Sequence, residues 1–153
     1  MKQALSAGTG RVSHSHMSDR EYRLQALFDA LRSRIVVLDG AMGTMLHQRD
    51  LSAQDFGGPD LEGCNENLVL TRPDVIVDIH SAYYEAGADI AETNTFGGTP
   101  LVLAEYGLQD KAFEINHRAA ELARQAADKF SAPGRPRWVA GSMGPTTKSI
   151  SVT

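Results

Sequence analysis

Three short stretches concentrate the side chains able to do chemistry. The first is Val36-Val37-Leu38-Asp39-Gly40-Ala41-Met42-Gly43-Thr44. Its apolar, β-branched run from Ile35 to Leu38 has the pattern of a buried strand, and it ends on a carboxylate followed by two glycines. An ionised aspartate at the mouth of a buried strand requires a partner. Gly40 and Gly43 let the backbone turn sharply and present its N–H groups to an anion. The stretch can hold a zwitterion, Asp39 taking an ammonium and the following amides a carboxylate. It can also be a tight strand-to-helix turn in which Asp39 caps its own loop.

The second stretch, Ala88 to Gly98, repeats the theme. Glu92, Thr93, Asn94 and Thr95 are four hydrogen-bonding residues in a row, too polar for a strand interior. Alternation sends Glu92 and Asn94 to one side and Thr93 and Thr95 to the other, so one pair can face a bound molecule. The third stretch is Trp138-Val139-Ala140, followed by Gly141-Ser142-Met143-Gly144-Pro145-Thr146-Thr147. Other reactive side chains carry less. Cys64 is the one cysteine, and a thiolate metal site needs several. His47 reads as a surface or capping group, His80 as a satisfied helix histidine, and His14 with His16 as a weak pair in a tail.

Helices must position these strand ends. Ser18-Asp19-Arg20-Glu21 is a capping box, and Leu24, Leu27, Phe28 and Leu31 follow at helical spacing. The helix they predict could plug one end of a barrel or sheet. Residues 45–70 form a long connection with turn signals at Gly57-Gly58-Pro59 and Gly63-Cys64-Asn65, the kind of segment that is functional or carries small helices. Thr71-Arg72-Pro73-Asp74 predicts a helix start with Thr71 as N-cap and Asp74 at the capping-box position. Val75, Ile76, Ile79, Ala82 and Tyr83 supply its apolar stripe, and Gly87 its stop. A short apolar segment, Leu101 to Ala104, stops at Gly107, and a helix from about Asp110 buries Ile115, Ala119, Leu122, Ala123, Ala126 and Phe130.

The order is strand, helix, strand, helix, strand, with 53 positions from Asp39 to Glu92 and 49 from Glu92 to Gly141. Repeated βα units imply a parallel sheet, with ligand groups gathered at strand C-termini as in a TIM barrel or an open α/β sheet. No G-x-G-x-x-G follows the first strand, and Gly40 to Thr44 lacks the lysine of a P-loop, so a (β/α)8 barrel is preferred. The chain of 153 residues would hold about three of its eight strands, which suggests a piece of a longer protein. Residues 1–17 are expected to be a disordered tail and 18–153 an incomplete barrel domain. A net charge of −4 without a basic block argues against nucleic acid and anionic membrane as partners. No apolar run reaches the length of a membrane span, and one cysteine without a secretory signal points to a reducing, cytoplasmic compartment.

Leu38 to Thr44, Asn67 to Ile76, Glu92 to Phe96 and Gly141 to Thr146 together resemble the homocysteine S-methyltransferase family, nearest its cobalamin-dependent branch. The resemblance runs from about Leu24 to the end. It implies a barrel that binds homocysteine at the strand mouth. There, zinc held by three cysteines activates the thiol for methyl transfer from methylcobalamin, which 5-methyltetrahydrofolate recharges. By position, Asp39 matches the acid that binds the homocysteine amino group. The amides of Gly40, Ala41, Met42, Gly43 and Thr44 match the carboxylate site. Glu92, Asn94, Thr95, Ser142 and Gly144 match the other two strand ends, lining the pocket. The zinc cysteines of the family match nothing here, Cys64 included, so no metal ligand or catalytic residue is assigned. The segment alone is expected neither to hold zinc tightly nor to turn over. Two other readings remain: a betaine- or S-methylmethionine-dependent relative without cobalamin, and a stand-alone amino-acid-binding module.

Overall fold

A computed structural model describes residues 18–146. The expected tail over residues 1–17, its two histidines, and Thr147 onward lie outside them. Helix α1 (Asp19–Ser33) starts on the expected capping box, in which Glu21 N donates to Ser18 Oγ and Ser18 N donates to Glu21 Oε2 at 2.8 Å. Then come α2 (Met42–His47), α3 (Ala53–Phe56), α4 (Leu68–Thr71), α5 (Pro73–Ala86), β1 (Ile90–Glu92), α6 (Pro100–Leu103), α7 (Ala112–Phe130) and β2 (Trp138–Ala140). The long connection after α2 carries small helices, as expected: α3, α4 and two 3₁₀ turns.

β1 and β2 pair in parallel, with Ile90 opposite Trp138 and Glu92 opposite Ala140. The first expected strand is reduced to a single parallel bridge from Leu38 to Ile90. Asp39 N donates to Ile90 O at 2.9 Å, and Asp89 N to Val37 O at 2.8 Å. The three strand segments thus lie side by side in chain order. The burial expected of Ile35–Leu38 is not met: Ile35 is 86% exposed, and Val37 and Leu38 are also exposed. Their apolarity is that of a strand covered on both sides, whereas among the described residues the sheet pairs them on one side alone.

The core lies between the sheet and helices α5 and α7. Ile76, Ile79, Ile115, Ala119 and Leu122 are buried there with Leu68, Val69 and Leu103. Ala126 and Ala127 of α7 pack with Tyr84 and Ala91, small side chains that let the helix approach the strand closely. The stripe of α5 includes Tyr84 in place of the exposed Ala82. Burial pushes the Tyr84 hydroxyl up to about 12, so it stays protonated and donates to Trp138 O at 2.6 Å.

The start of α5 differs from expectation. Thr71 ends α4, and its Oγ1 donates back to Asn67 O, so it caps nothing. Asp74 instead accepts from Arg72, the residue before Pro73, whose guanidinium also reaches Asp55. Two abutting helices and a competing arginine replace the simple cap. Helix α1 buries none of its residues, and Leu24, Phe28 and Leu31 stay exposed. Trp138 Nε1 donates to Arg23 O at 2.8 Å and ties α1 to β2.

At the N-terminal end of the strands, Asp89 gathers two arginines. Arg34 grips both carboxylate oxygens at 2.6 and 2.9 Å, and Arg137 Nη1 donates to Oδ1 at 3.3 Å. This charged knot lies away from the glycine-flanked strand ends and holds the strands together from below.

Candidate functional site

The C-terminal ends of the three strand segments converge on one cavity of about 320 Å³. That is the low end of small-molecule sites. Asp39, Gly40, Ala41, Met42 and Gly43 form one wall, and Glu92, Thr93, Asn94 and Ser142 another. Thr44, Thr95 and Gly144 were expected in the lining and lie outside it.

The Asp39 carboxylate is almost wholly enclosed, its side chain 3% exposed. Oδ1 accepts the Glu92 N–H at 2.7 Å. Asp39 therefore reaches across to the end of β1, and among the described residues the turn it would cap in the alternative reading gets no hydrogen bond from its side chain. Ala41 follows with φ +45°, the one non-glycine residue in the left-handed region among the described residues. Such a conformation is strained for an L-residue and is found at functional turns. It starts α2, whose first-turn amides have no helical acceptor.

Past Glu92 the chain leaves the strand, and alternation stops governing direction. Thr95 N donates to Thr93 O at 2.8 Å, a turn that brings Thr93 to the cavity. The Thr93 and Thr95 hydroxyls share a hydrogen bond of 2.7 Å. Thr95 Oγ1 donates to Ser142 O at 2.8 Å, and Ser142 N donates to Thr93 Oγ1 at 3.0 Å. The last two of these bonds cross between the loops and fix the loop after β2 against the loop after β1. Thr95 thus positions Ser142 from behind the wall.

Gly144 has a packing duty. Its N–H donates to Phe96 O at 2.9 Å, and a Cβ on it would meet that oxygen at 2.5 Å and the Phe96 ring at 2.7 Å. Gly144→Ala is expected to cost about 1–3 kcal/mol by overpacking, read as a lower denaturation midpoint. A loss under about 0.5 kcal/mol would mean that the loop moves freely off Phe96.

Three lining residues in addition to Thr93 escaped the sequence reading: Asn65, Glu66 and Phe96. Asn65 O accepts from Asn94 Nδ2 at 2.7 Å, and Glu66 Oε1 accepts from Gly97 N at 2.7 Å. The available signal was the polar run Asn65-Glu66-Asn67 set between buried Cys64 and the apolar Leu68 to Leu70.

Among the described residues no group of three or more His, Cys, Asp or Glu could hold an ion. Cys64 is fully buried, and burial pushes its thiol up, away from the thiolate a metal needs.

Parallel strands with polar, glycine-flanked ends around one cavity define an α/β binding mouth. The homocysteine S-methyltransferase family model matches residues 36–152, and the chain belongs to that family. It is 50% identical over 122 residues to the methionine synthase of Mycobacterium tuberculosis (strain ATCC 25618 / H37Rv) and 49% identical to that of Mycobacterium leprae (strain TN). Each match covers 80% of this chain and 10% of the relative, so the chain spans about a tenth of their length. Crystal structures of the homocysteine methyltransferase MmuM from Escherichia coli, oxidised and metallated, share its fold with TM-scores of 0.64. They are 31% and 30% identical, over 78% of this chain and 41% of theirs. No helix among the described residues is long and apolar enough to cross a membrane.

Proposed function

We propose that this segment binds the amino-acid end of homocysteine for a methionine synthase. The observation that carries the reading is the enclosed Asp39 carboxylate, which lines a cavity shared with the ends of two further strand segments. Asp39 takes the ammonium, and the amides after it that line the cavity, over Gly40 to Gly43, take the carboxylate. Glu92, Asn94 and Ser142 complete the lining, with Thr95 and Gly144 acting from behind it. The whole domain is proposed to be a (β/α)8 barrel in which the three described strand segments are consecutive.

Methylcobalamin recharged by 5-methyltetrahydrofolate is the proposed methyl source, supported by relatives named methionine synthase. Among the described residues no group of three or more His, Cys, Asp or Glu stands where zinc could be held. The work proposed for this segment is therefore binding and orientation, with the sulfur left pointing out of this wall. The cytoplasm is the proposed compartment.

Titration calorimetry with the intact protein tests the reading. Homocysteine is expected to bind, and 4-mercaptobutanoic acid, which lacks the amino group, to bind at least about tenfold more weakly. Equal affinity for the two would remove Asp39 from the ammonium and overturn the assignment.

A further inference from the structure

His80 lies on the buried face of α5 with Ile76 and Tyr84, one helical turn to either side. It is 0% exposed, and among the described residues neither ring nitrogen makes a hydrogen bond. Sequence reasoning expected a satisfied helix histidine; the structure shows the opposite. Two unpaired nitrogens deep in a core are an unfavourable arrangement that a leucine would avoid.

One of them is aimed at the cavity wall. Nδ1 lies 3.9 Å from Asp39 Oδ2, too long for a hydrogen bond and short enough for a small rotation to close it. Oδ2 accepts no hydrogen bond among the described residues, whereas Oδ1 is held by Glu92 N–H. Two groups without a partner among the described residues thus face each other across 3.9 Å, a ring nitrogen on α5 and a carboxylate oxygen on the binding loop.

We propose that His80 is a positioning residue for Asp39: its Nδ1–H closes on Oδ2 when an amino acid's ammonium engages the carboxylate. The carboxylate plane is then held at both oxygens, by the Glu92 amide and by the imidazole, and the remaining lone pairs face the cavity. This rests on the reading of Asp39 as the ammonium's partner. It adds that α5, which touches no ligand through His80, fixes the direction of the acid.

Three substitutions in the intact protein test it. His80→Asn keeps an N–H near the Nδ1 position, His80→Gln places its amide nearer Nε2, and His80→Leu fills the space with no donor. Calorimetric affinity for homocysteine is expected to fall about tenfold in His80→Leu and His80→Gln, and to stay within about threefold of wild type in His80→Asn. The melting temperature of His80→Leu is expected to equal or exceed that of wild type, which a merely structural histidine would not produce. Added to Asp39→Asn, His80→Leu is expected to weaken binding no further. Unchanged affinity in His80→Leu, or equal affinities in the Asn and Gln variants, would overturn the positioning role. Should His80→Leu fail to fold, the Asn and Gln pair decides alone. If Asp39→Asn itself binds normally, the ammonium assignment has failed and this proposal with it. If only Asp39→Asn is impaired, the assignment stands and the role of His80 is refuted.

Discussion

Asp89→Ala is expected to lower stability by about 3–5 kcal/mol, the scale of stripping a buried charge of its partner. Asp89 and Arg137 are each 3% exposed. Arg137 Nη1 also donates to Ala88 O at 2.6 Å, but its Nε is buried without a partner among the described residues, so its charge depends on Asp89. Removing the carboxylate leaves that guanidinium uncompensated inside the fold. The loss through Arg34 is smaller, because its side chain is 43% exposed and water takes over its solvation. Backbone is lost as well: Asp89 Oδ2 accepts the Val37 N–H at 3.0 Å, a link from the first strand segment to β1. Set against the usual total of about 5–15 kcal/mol, the change populates the unfolded state substantially.

The same residue predicts an acid response. The Arg34 guanidinium, followed by the Val37 amide and Arg137, holds the Asp89 carboxyl below its ordinary range against the opposing effect of burial. A depressed folded value means the unfolded chain binds the proton first as pH falls. The stabilisation is therefore whole above about pH 4 and is lost as pH drops through the lower folded value. Urea unfolding at about pH 7 and about pH 3 should show a steep loss in wild type and a shallower one in Asp89→Asn. A variant as stable as wild type at neutral pH, with the same acid slope, would remove the knot from the stability of the fold.

Local chemistry made much of this arrangement legible. The Ser18–Glu21 box, the Gly87 and Gly107 stops and the alanine-rich stripe of α7 are decided by a few neighbouring residues, and each stands where its spacing put it. The convergence of the Asp39, Glu92 and Ser142 segments followed from strand periodicity, because parallel βα units leave their C-terminal ends on one side. What escaped was decided by contacts distant in sequence. The exposure of Ile35 depends on which segments pair beside it. Asn65 and Glu66 reach the cavity through Asn94 and Gly97, 29 and 31 positions away, with no periodic signal to announce it. Thr93 changed side because a turn replaced the strand one residue earlier than alternation allowed. The unpaired state of His80 has no local signature, since an apolar helix face with one histidine looks the same satisfied or not.

Asp39→Asn is expected to weaken homocysteine binding by about 1.5–3 kcal/mol, the worth of a hydrogen bond to a charged group, or roughly 10- to 150-fold in the dissociation constant. The substitution separates charge from shape. Asparagine keeps a carbonyl oxygen that can accept the Glu92 N–H now held at 2.7 Å, so the tether between the binding loop and β1 survives. What it lacks is the negative charge that an ammonium needs in a site where the Asp39 side chain is 3% exposed and screening by water is weak. Stability is therefore expected to stay within about 1 kcal/mol of wild type while affinity falls. Asp39→Ala removes charge and tether together, so it should lose stability as well as affinity, and the difference between the two variants measures the tether. Binding is read by calorimetry, or by the Michaelis constant for homocysteine where the intact protein turns over. An unchanged constant in Asp39→Asn, with the fold intact, would leave Asp39 as a strand-to-strand link and move the ammonium to another acid of the mouth, of which Glu92 and Glu66 are the two that line it.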